Sequence, residues 1–117
     1  RELEGAALAA AALGPNGDLW FANHRQPWLT RYRAGEWTRL PLDLRVVAPD
    51  SVAALSVAPN LELWLGSREG LVRFGGGQWS KLTTADGLAD NNVSRVIIAP
   101  DGTVWAATAG GVSRFEP

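Results

Sequence analysis

The chain has 117 residues and a mass of 12.5 kDa, which is room for one domain rather than two. It is 46% hydrophobic and 20% charged, as ordinary globular domains are, so neither a disordered chain nor a fibre is expected. The net charge of −1, without a basic cluster, argues against nucleic-acid binding and membrane attachment. The lack of Cys excludes disulfides, thiolate metal sites and a Cys nucleophile.

The first apolar segment, GAALAAAAL at 5–13, has the composition of a signal-peptide core or of an Ala-rich helix. A signal peptide carries positive charge before its apolar core, whereas Glu2 and Glu4 precede this one. Nine residues are also too few to span a bilayer as a helix. The internal repeat described next favours a β-strand here instead.

Three stretches of equal length and pattern end at Trp20, Trp64 and Trp105. The stretches LAAAALGPNGDLW, VAALSVAPNLELW and VSRVIIAPDGTVW align without a gap, and LTRY, LVRF and VSRF follow them downstream. The tryptophans are 44 and 41 residues apart, and a period of about 40–45 residues with four short strands is typical of a propeller blade. The sequence therefore predicts an all-β fold, a single partial β-propeller over 1–117.

The predicted blades are 8–40, 52–82 and 93–117, each built of four antiparallel strands except the last, which lacks the outer strand. In each blade the first strand ends at Pro-Asn-Gly or Pro-Asp-Gly, which predicts a tight primed hairpin turn with positive φ. In the second blade Leu61 replaces that Gly, so its turn is expected to differ. The Ala-rich first strand suits a position near the crowded propeller axis.

The stretch 82–115, LTTADGLADNNVSRVIIAPDGTVWAATAGGVSRF, resembles the two-component regulator propeller repeat. This family forms β-propeller blades in the sensor regions of bacterial hybrid histidine kinases. The resemblance implies a non-catalytic sensor of a ligand, displayed outside the cytoplasmic membrane in the periplasm or the extracellular space. The stretch 14–21, GPNGDLWF, is equally similar to virginiamycin B lyase-type propellers, which keeps an enzyme as the alternative.

No group of residues in the sequence has the spacing of a catalytic or metal site. His24 is the only His, and no Gly-x-Ser-x-Gly motif accompanies it. The oxygen-rich segment at 86–92 lacks the closing Glu of a calcium loop, and 75–77 (Gly-Gly-Gly) is followed by a strand rather than by the helix of a phosphate loop. We therefore expect no catalytic residues, no metal and no cofactor, with turns at both segments.

A ligand, if one binds, is expected at the loops that share one face of the propeller. The second-to-third strand loop of the first blade contains an insertion around His24, and Trp28 there replaces Gly70 and Gly111, which favours a stacking platform for a small molecule or carbohydrate. The candidate ligand-binding residues are His24, Arg25, Gln26, Trp28, Arg68, Glu69, Asp86 and Asp90. The two alternatives are a lyase or hydrolase-type enzyme that uses His24, and a scaffold that binds another protein.

Two further sets of residues recur with the blades. Arg31, Arg73 and Arg114 are expected to face solvent or to lie on the Trp of a neighbouring blade, with a polyanion-binding ring as the alternative. The tryptophans of the second and outer strands are expected to be core residues; they are Trp20, Trp37, Trp64, Trp79 and Trp105.

Three blades are too few to close a propeller ring, because propellers close with about four to eight blades. Three blades leave an apolar, Trp-bearing face exposed at each end, which favours association. Two partners are expected as alternatives: a second copy, which would give a six-bladed ring, or the remaining blades of a longer parent chain. A sequence with no Met, not even an initiator, fits the second alternative.

Overall fold

The computed structural model describes residues 8–116, which form three antiparallel β-sheets. The strands are β1 (Leu8–Leu13), β2 (Leu19–Asn23), β3 (Trp28–Arg33), β4 (Glu36–Pro41), β5 (Val52–Val57), β6 (Leu63–Ser67), β7 (Gly70–Gly75), β8 (Gln78–Leu82), β9 (Val93–Ile98), β10 (Val104–Thr108) and β11 (Gly111–Phe115). The first sheet is β1–β4, the second β5–β8 and the third β9–β11, each with its strands hydrogen-bonded in chain order. Four, four and three strands are what the repeat predicts.

The Ala-rich segment forms the innermost strand of the first sheet. Its residues Leu8–Leu13 pair with β2, so the described part of that segment is a strand and not a helix. The segment's first residues, 5–7, lie outside the described residues, as do Glu2, Glu4 and the last residue of the predicted third blade, Pro117. The first strands β1, β5 and β9 lie beside one another and so mark the propeller axis.

The turns that end the first strands differ from the predicted primed type. In the first sheet the backbone N–H of Gly17 donates to the carbonyl of Gly14, and the N–H of Gly14 donates to the carbonyl of Asp18. Positive φ occurs at Gly17 but not at Asn16, which describes a three-residue loop with its last residue left-handed. Pro at the first loop position forces negative φ there, which a primed turn cannot accept.

The expectation that the turn at Leu61 differs is also wrong. Leu61 adopts φ +73°, and its backbone N–H donates to the carbonyl of Ala58, whose own N–H donates to the carbonyl of Glu62. The turns with glycine at this position have the same two hydrogen bonds. In each turn the Asn or Asp before this position accepts a hydrogen bond from the backbone N–H two residues later, at 3.0–3.2 Å. This side-chain bond holds the turn even where a leucine is strained.

Primed turns occur instead between the third and fourth strands. Ala34 and Gly35 both have positive φ in the β3–β4 hairpin, and Gly76 and Gly77 do so between β7 and β8. The Gly-rich segment is thus a turn, as the sequence predicts, and the structure shows that it is a two-residue hairpin turn.

Residues paired across strands show that each sheet has two different faces. The front face contains the aromatic of the third strand, and the back face contains the Trp of the second strand. The front faces include Ala11, Leu13, Leu19, Phe21, Tyr32 and Trp37 in the first sheet; Leu55, Val57, Leu63, Leu65, Phe74 and Trp79 in the second; and Val96, Ile98, Val104, Ala106 and Phe115 in the third. The back faces include Ala12, Trp20, Ala22 and Leu29; Ser56, Trp64, Gly66 and Leu71; and Arg95, Ile97, Trp105, Ala107 and Val112.

The hydrophobic core consists of two clusters, one at each junction between sheets. The back face of the first sheet packs on the front face of the second, where Leu65 is fully buried. The back face of the second packs on the front face of the third in the same way. At this second junction a methyl group on Gly66 would lie 2.9 Å from the Val93 side chain, so the sheets approach too closely for a larger residue.

The prediction that five tryptophans are core residues is wrong for two of them. Trp64 is 8% exposed, and Trp20 and Trp79 are half-buried against the first cluster. Trp37 on the first sheet and Trp105 on the third are each 41% exposed. The reason is that their faces lie at the two ends of the stack, where no described residue forms a further sheet.

Candidate functional site

One end of the stack, here called the loop end, contains the hairpin turns that follow β2, β6 and β10. It also contains the segments that lead into β5 and β9. The N–H of Arg68 donates to the carbonyl of Ser51 at 3.1 Å, and the N–H of Ala109 donates to that of Asn92 at 3.1 Å. In the second and third sheets the turn is thus joined to the incoming segment.

His24 joins two sheets at the loop end. It is exposed, and its Nε2 lies 3.2 Å from the carbonyl oxygen of Val52, the first residue of β5. In the tautomer that carries hydrogen on Nε2, His24 donates to this carbonyl. Within the same loop Arg25 is exposed, its backbone N–H donating to the Asn23 side chain at 2.7 Å, and Gln26 is half-buried.

The equivalent loop of the second sheet contains Arg68 and Glu69, both exposed. The Arg68 guanidinium donates to the carbonyl of Asp50 at 3.1 Å, and the backbone N–H of Glu69 donates to the Ser67 hydroxyl at 3.2 Å. These contacts order the loop backbone while the Glu69 carboxylate faces solvent.

Asp86 and Asp90 stabilise the connection between β8 and β9. Asp86 accepts from the backbone N–H of Thr83 at 3.0 Å, closing a capping box over a single 3-10 turn. Asp90 accepts from the backbone N–H of Asn92 at 2.8 Å. Within residues 8–116 there is no cluster of three or more His, Asp or Glu side chains that could hold a metal ion.

Trp28 is not a loop residue, contrary to the prediction. It is the first residue of β3, lies half-buried on the front face of the first sheet, and its ring packs 4.2 Å below the Arg39 guanidinium. Gly70 and Gly111, which occupy this position in the other sheets, have φ of +143° and +131°. The insertion in the first sheet changes the turn, so a bulky residue fits here.

The opposite end, here called the turn end, contains two inter-sheet grooves that the sequence did not predict. Groove A lies between the first and second sheets and has a volume of about 290 Å³. Groove B lies between the second and third sheets and has a volume of about 350 Å³. The two are structurally equivalent, since each is floored by the back-face Trp of one sheet (Trp20 or Trp64) and bounded by the turn of the next.

Groove A carries a cation without a complete set of partners. Asp18 is buried and accepts two hydrogen bonds from Arg33, at 2.6 and 2.7 Å, which hold the pKa of its carboxyl below the ordinary value of 3.8. Arg31 also lines the groove, and its Nε atom is buried with no hydrogen-bond partner among the described residues. A buried donor without a partner costs free energy, so this atom is a natural position for a ligand acceptor.

Groove B differs in charge. The residue equivalent to Arg31 is Arg73, whose guanidinium binds both carboxylate oxygens of Glu62 and lowers the pKa of that carboxyl. Asp101 and Glu116 also line this groove. The lining side chains carry one positive and three negative charges in groove B, against two positive and one negative in groove A.

The recurring arginines stack on tryptophans of their own sheet, not on those of a neighbouring blade as one prediction had it. Arg31, Arg73 and Arg114 lie 5.9, 5.8 and 5.7 Å from the ring centres of the directly paired Trp20, Trp64 and Trp105. The recurring Trp and Arg are a sequence signal for the grooves, with a spacing of 11 residues in the first sheet and 9 in the other two. The groove walls, however, come from residues about 40 positions apart.

No protein-family model and no curated protein matches this sequence. Solved structures do match it. The extracellular domain of a protein described as a hybrid two-component system from B. thetaiotaomicron aligns with a TM-score of 0.70 and 18% identity, over 93% of this chain and 15% of that one. Virginiamycin B lyase from Staphylococcus aureus aligns with a TM-score of 0.63 and 17% identity, over 96% of this chain and 42% of the lyase.

The chain has a β-propeller fold. Both structures expected from the sequence resemblance, two-component system domains and virginiamycin B lyases, are among its structural neighbours. The chain spans less than half of the length of either neighbour, and identities below 20% make this a similarity of fold. Over residues 8–116 there is no helix of the length and hydropathy needed to cross a membrane.

Proposed function

We propose that this chain is a non-catalytic, ligand-binding propeller segment of an extracytoplasmic sensor, and that groove A binds an anionic group of the ligand. The observation that carries the proposal is the buried Arg31 Nε without a hydrogen-bond partner, in a groove whose only described carboxylate, that of Asp18, already binds Arg33. A guanidinium matches a carboxylate or phosphate in both charge and geometry.

The rest of groove A suits a small organic anion rather than a bare ion. Trp20, Leu63 and Phe74 offer apolar surface next to Arg31, and Asn16 adds an amide. A volume of about 290 Å³ is close to the lower bound of small-molecule sites. The expected ligand class is therefore a compact carboxylate or acidic sugar whose ring or chain covers the Trp20 side.

The sensor assignment is supported by the neighbours, several of which are extracellular domains of two-component system proteins. Another structural neighbour, PorZ from Porphyromonas gingivalis, is a bacterial surface component of a secretion system. It aligns with a TM-score of 0.68 and 14% identity, over 93% of this chain and 17% of PorZ. An extracytoplasmic location agrees with these neighbours.

Thermal melts with a panel of carboxylates, acidic sugars and neutral analogues test the proposal. A ligand at one hundred times its Kd adds about 2.7 kcal/mol to the stability of the folded state, which raises the Tm of a domain this size by roughly 10 °C. We expect anionic compounds to raise the Tm and Arg31→Gln to abolish the shift. The matched variant Arg73→Gln, in groove B, should retain it; an equal shift in Arg31→Gln would contradict the proposal.

A propeller enzyme is the second candidate, supported by the lyase neighbours, one of which is a His-to-Ala variant described as catalytically inactive and solved with quinupristin. In this chain His24 is the only residue that can supply such a histidine. Its contact with the Val52 carbonyl instead favours a structural role at the loop end. If the protein turns over a substrate and His24→Ala loses this activity with groove A intact, the protein is an enzyme and the sensor proposal is overturned.

A further inference from the structure

The two junctions between sheets follow one packing rule. At each junction a back face meets the front face of the next sheet, and near the axis a small back-face residue meets a larger front-face one. Ser56 shows this contact, because its hydroxyl donates to the carbonyl of Val96 at 2.6 Å across the junction. At the other junction the equivalent residues are Ala12 on the back face and Leu55 on the front face.

The two faces left exposed at the ends are of opposite kinds. The first sheet exposes a front face, with Leu13 at 67% and Leu19 at 37% exposure. The third sheet exposes a back face, with Ile97 at 59% and Val112 at 67%. An exposed front face and an exposed back face are the two halves of a junction that the chain already builds twice.

The size pattern is reversed at these two faces. Ile97 occupies the back-face position that holds Ala12 and Ser56 in the other sheets. Ala11 occupies the front-face position that holds Leu55 and Val96. A further blade of the usual kind, with a large front-face residue, would collide with Ile97, whereas the Ala11 face leaves room for it.

We propose that two copies of this chain associate head to tail, with the back face of the third sheet of each copy packed on the front face of the first sheet of the other. Ile97 of one copy then lies against Ala11 of the other, as Ser56 lies against Val96 within the chain. The hollow of about 260 Å³ around Trp105 and Val112 receives the front-face aromatic side chains.

The proposed assembly also satisfies closure. Two chains bring six sheets, within the four to eight that close a propeller, and both head-to-tail contacts are identical. The aromatic cluster that enters the contact is already ordered, with Tyr32 and Trp37 ring centres 4.8 Å apart and Phe21 and Trp37 6.0 Å apart. A preordered surface loses less side-chain entropy on association.

Sedimentation equilibrium of the 117-residue chain tests this proposal without any ligand. We expect a particle of twice the 12.5 kDa chain mass. A chain that stays monomeric up to hundreds of micromolar would overturn the proposal and would favour further blades of a longer chain. A continuous ladder of larger species would contradict the closed ring.

A size-swap pair of variants tests the contact itself. Ala11→Leu overfills the position opposite Ile97 and should weaken dimerisation at least tenfold, while circular dichroism shows an intact β-fold. Adding Ile97→Ser restores the size pattern of the internal junctions and should restore the dimer. Two results would show that these residues do not meet. One is an Ala11→Leu variant that dimerises as tightly as the original chain, and the other is a double variant that dimerises as weakly as Ala11→Leu.

Discussion

The back faces of the second and third sheets have the same local structure and opposite environments. Trp64 pairs with Arg73, and Trp105 pairs with Arg114, with almost equal cation–ring distances of 5.8 and 5.7 Å. Yet Trp64 is 8% exposed and Trp105 is 41% exposed. The repeat therefore determines the strand pairing and the Arg–Trp stack, while the presence of a neighbouring sheet determines whether the tryptophan is a core residue.

The largest expected effect is the difference between truncating these two tryptophans. Trp64→Ala removes a residue packed inside the second cluster and should lower the free energy of unfolding by about 3–5 kcal/mol. Trp105→Ala should lower it by less than about 1.5 kcal/mol in dilute, monomeric protein. Urea unfolding followed by circular dichroism measures both. Equal losses would contradict the description of one face as covered and the other as open.

The next effect concerns the spacing of the second and third sheets. Gly66→Ala places a methyl group within 2.9 Å of Val93 and should cost about 1–3 kcal/mol of stability. The equivalent residue on the open back face is Ala107, and the reverse change, Ala107→Gly, should cost at most about 1 kcal/mol. A Gly66→Ala variant with an unchanged free energy of unfolding would mean that the junction is looser than described.

A smaller effect, of opposite sign, is expected at the strained turn. Leu61→Gly gives the left-handed position its usual residue and should stabilise the fold by roughly 0.5–1 kcal/mol. Gly102→Leu, at the equivalent turn of the third sheet, should destabilise it by a similar amount. If Leu61→Gly proves destabilising, the half-exposed Leu61 side chain in groove A contributes more by packing than its backbone costs.

The smallest effect is the pH dependence of groove A. Arg33 lowers the pKa of Asp18, so the pair stabilises the folded state above the ordinary pKa of 3.8 and this contribution is lost as the pH falls below it. Asp18→Asn should therefore flatten the loss of Tm as the pH falls below about 4. Glu116→Gln, which breaks a solvent-exposed pair with Arg114, is the control and should leave the profile close to the original. A profile unchanged by Asp18→Asn would show that the Arg33 pair adds no stability.

Much of the fold could be predicted because repeated residues report repeated strands. The aligned tryptophans located the sheets, and Gly-Gly at 76–77 was correctly assigned to a turn. The predicted type of the Pro-Asn-Gly turn was wrong. The Asn side-chain hydrogen bond and the fixed φ of Pro outweigh the preference of the Asn-Gly pair for a primed turn. The expectation that the turn at Leu61 differs was wrong because the surrounding hydrogen bonds impose a conformation that leucine alone disfavours.

The candidate sites could be predicted less well. Loop residues such as His24 and Arg68 could be assigned to one end from the strand order, but their backbone partners depend on chain segments far away in sequence. Groove A has walls from two sheets. The Nε of Arg31 lacks a hydrogen-bond partner because Arg33 binds the Asp18 carboxylate, whereas in groove B Arg73 binds the equivalent carboxylate of Glu62. The reversed sizes of Ala11 and Ile97 were visible in the aligned repeats, yet they acquired meaning only when strand register assigned them to faces.

Fluorine NMR of 5-fluorotryptophan-labelled protein tests the central claim most directly, with each resonance assigned by a Trp→Phe variant. The solvent-isotope shift between H₂O and D₂O reports the exposure of each indole. In dilute protein, Trp37 and Trp105 should show large shifts and Trp64 almost none; on concentration, the shifts of Trp37 and Trp105 should fall together. Equal shifts at Trp64 and Trp105 in dilute protein would contradict the account of covered and open faces.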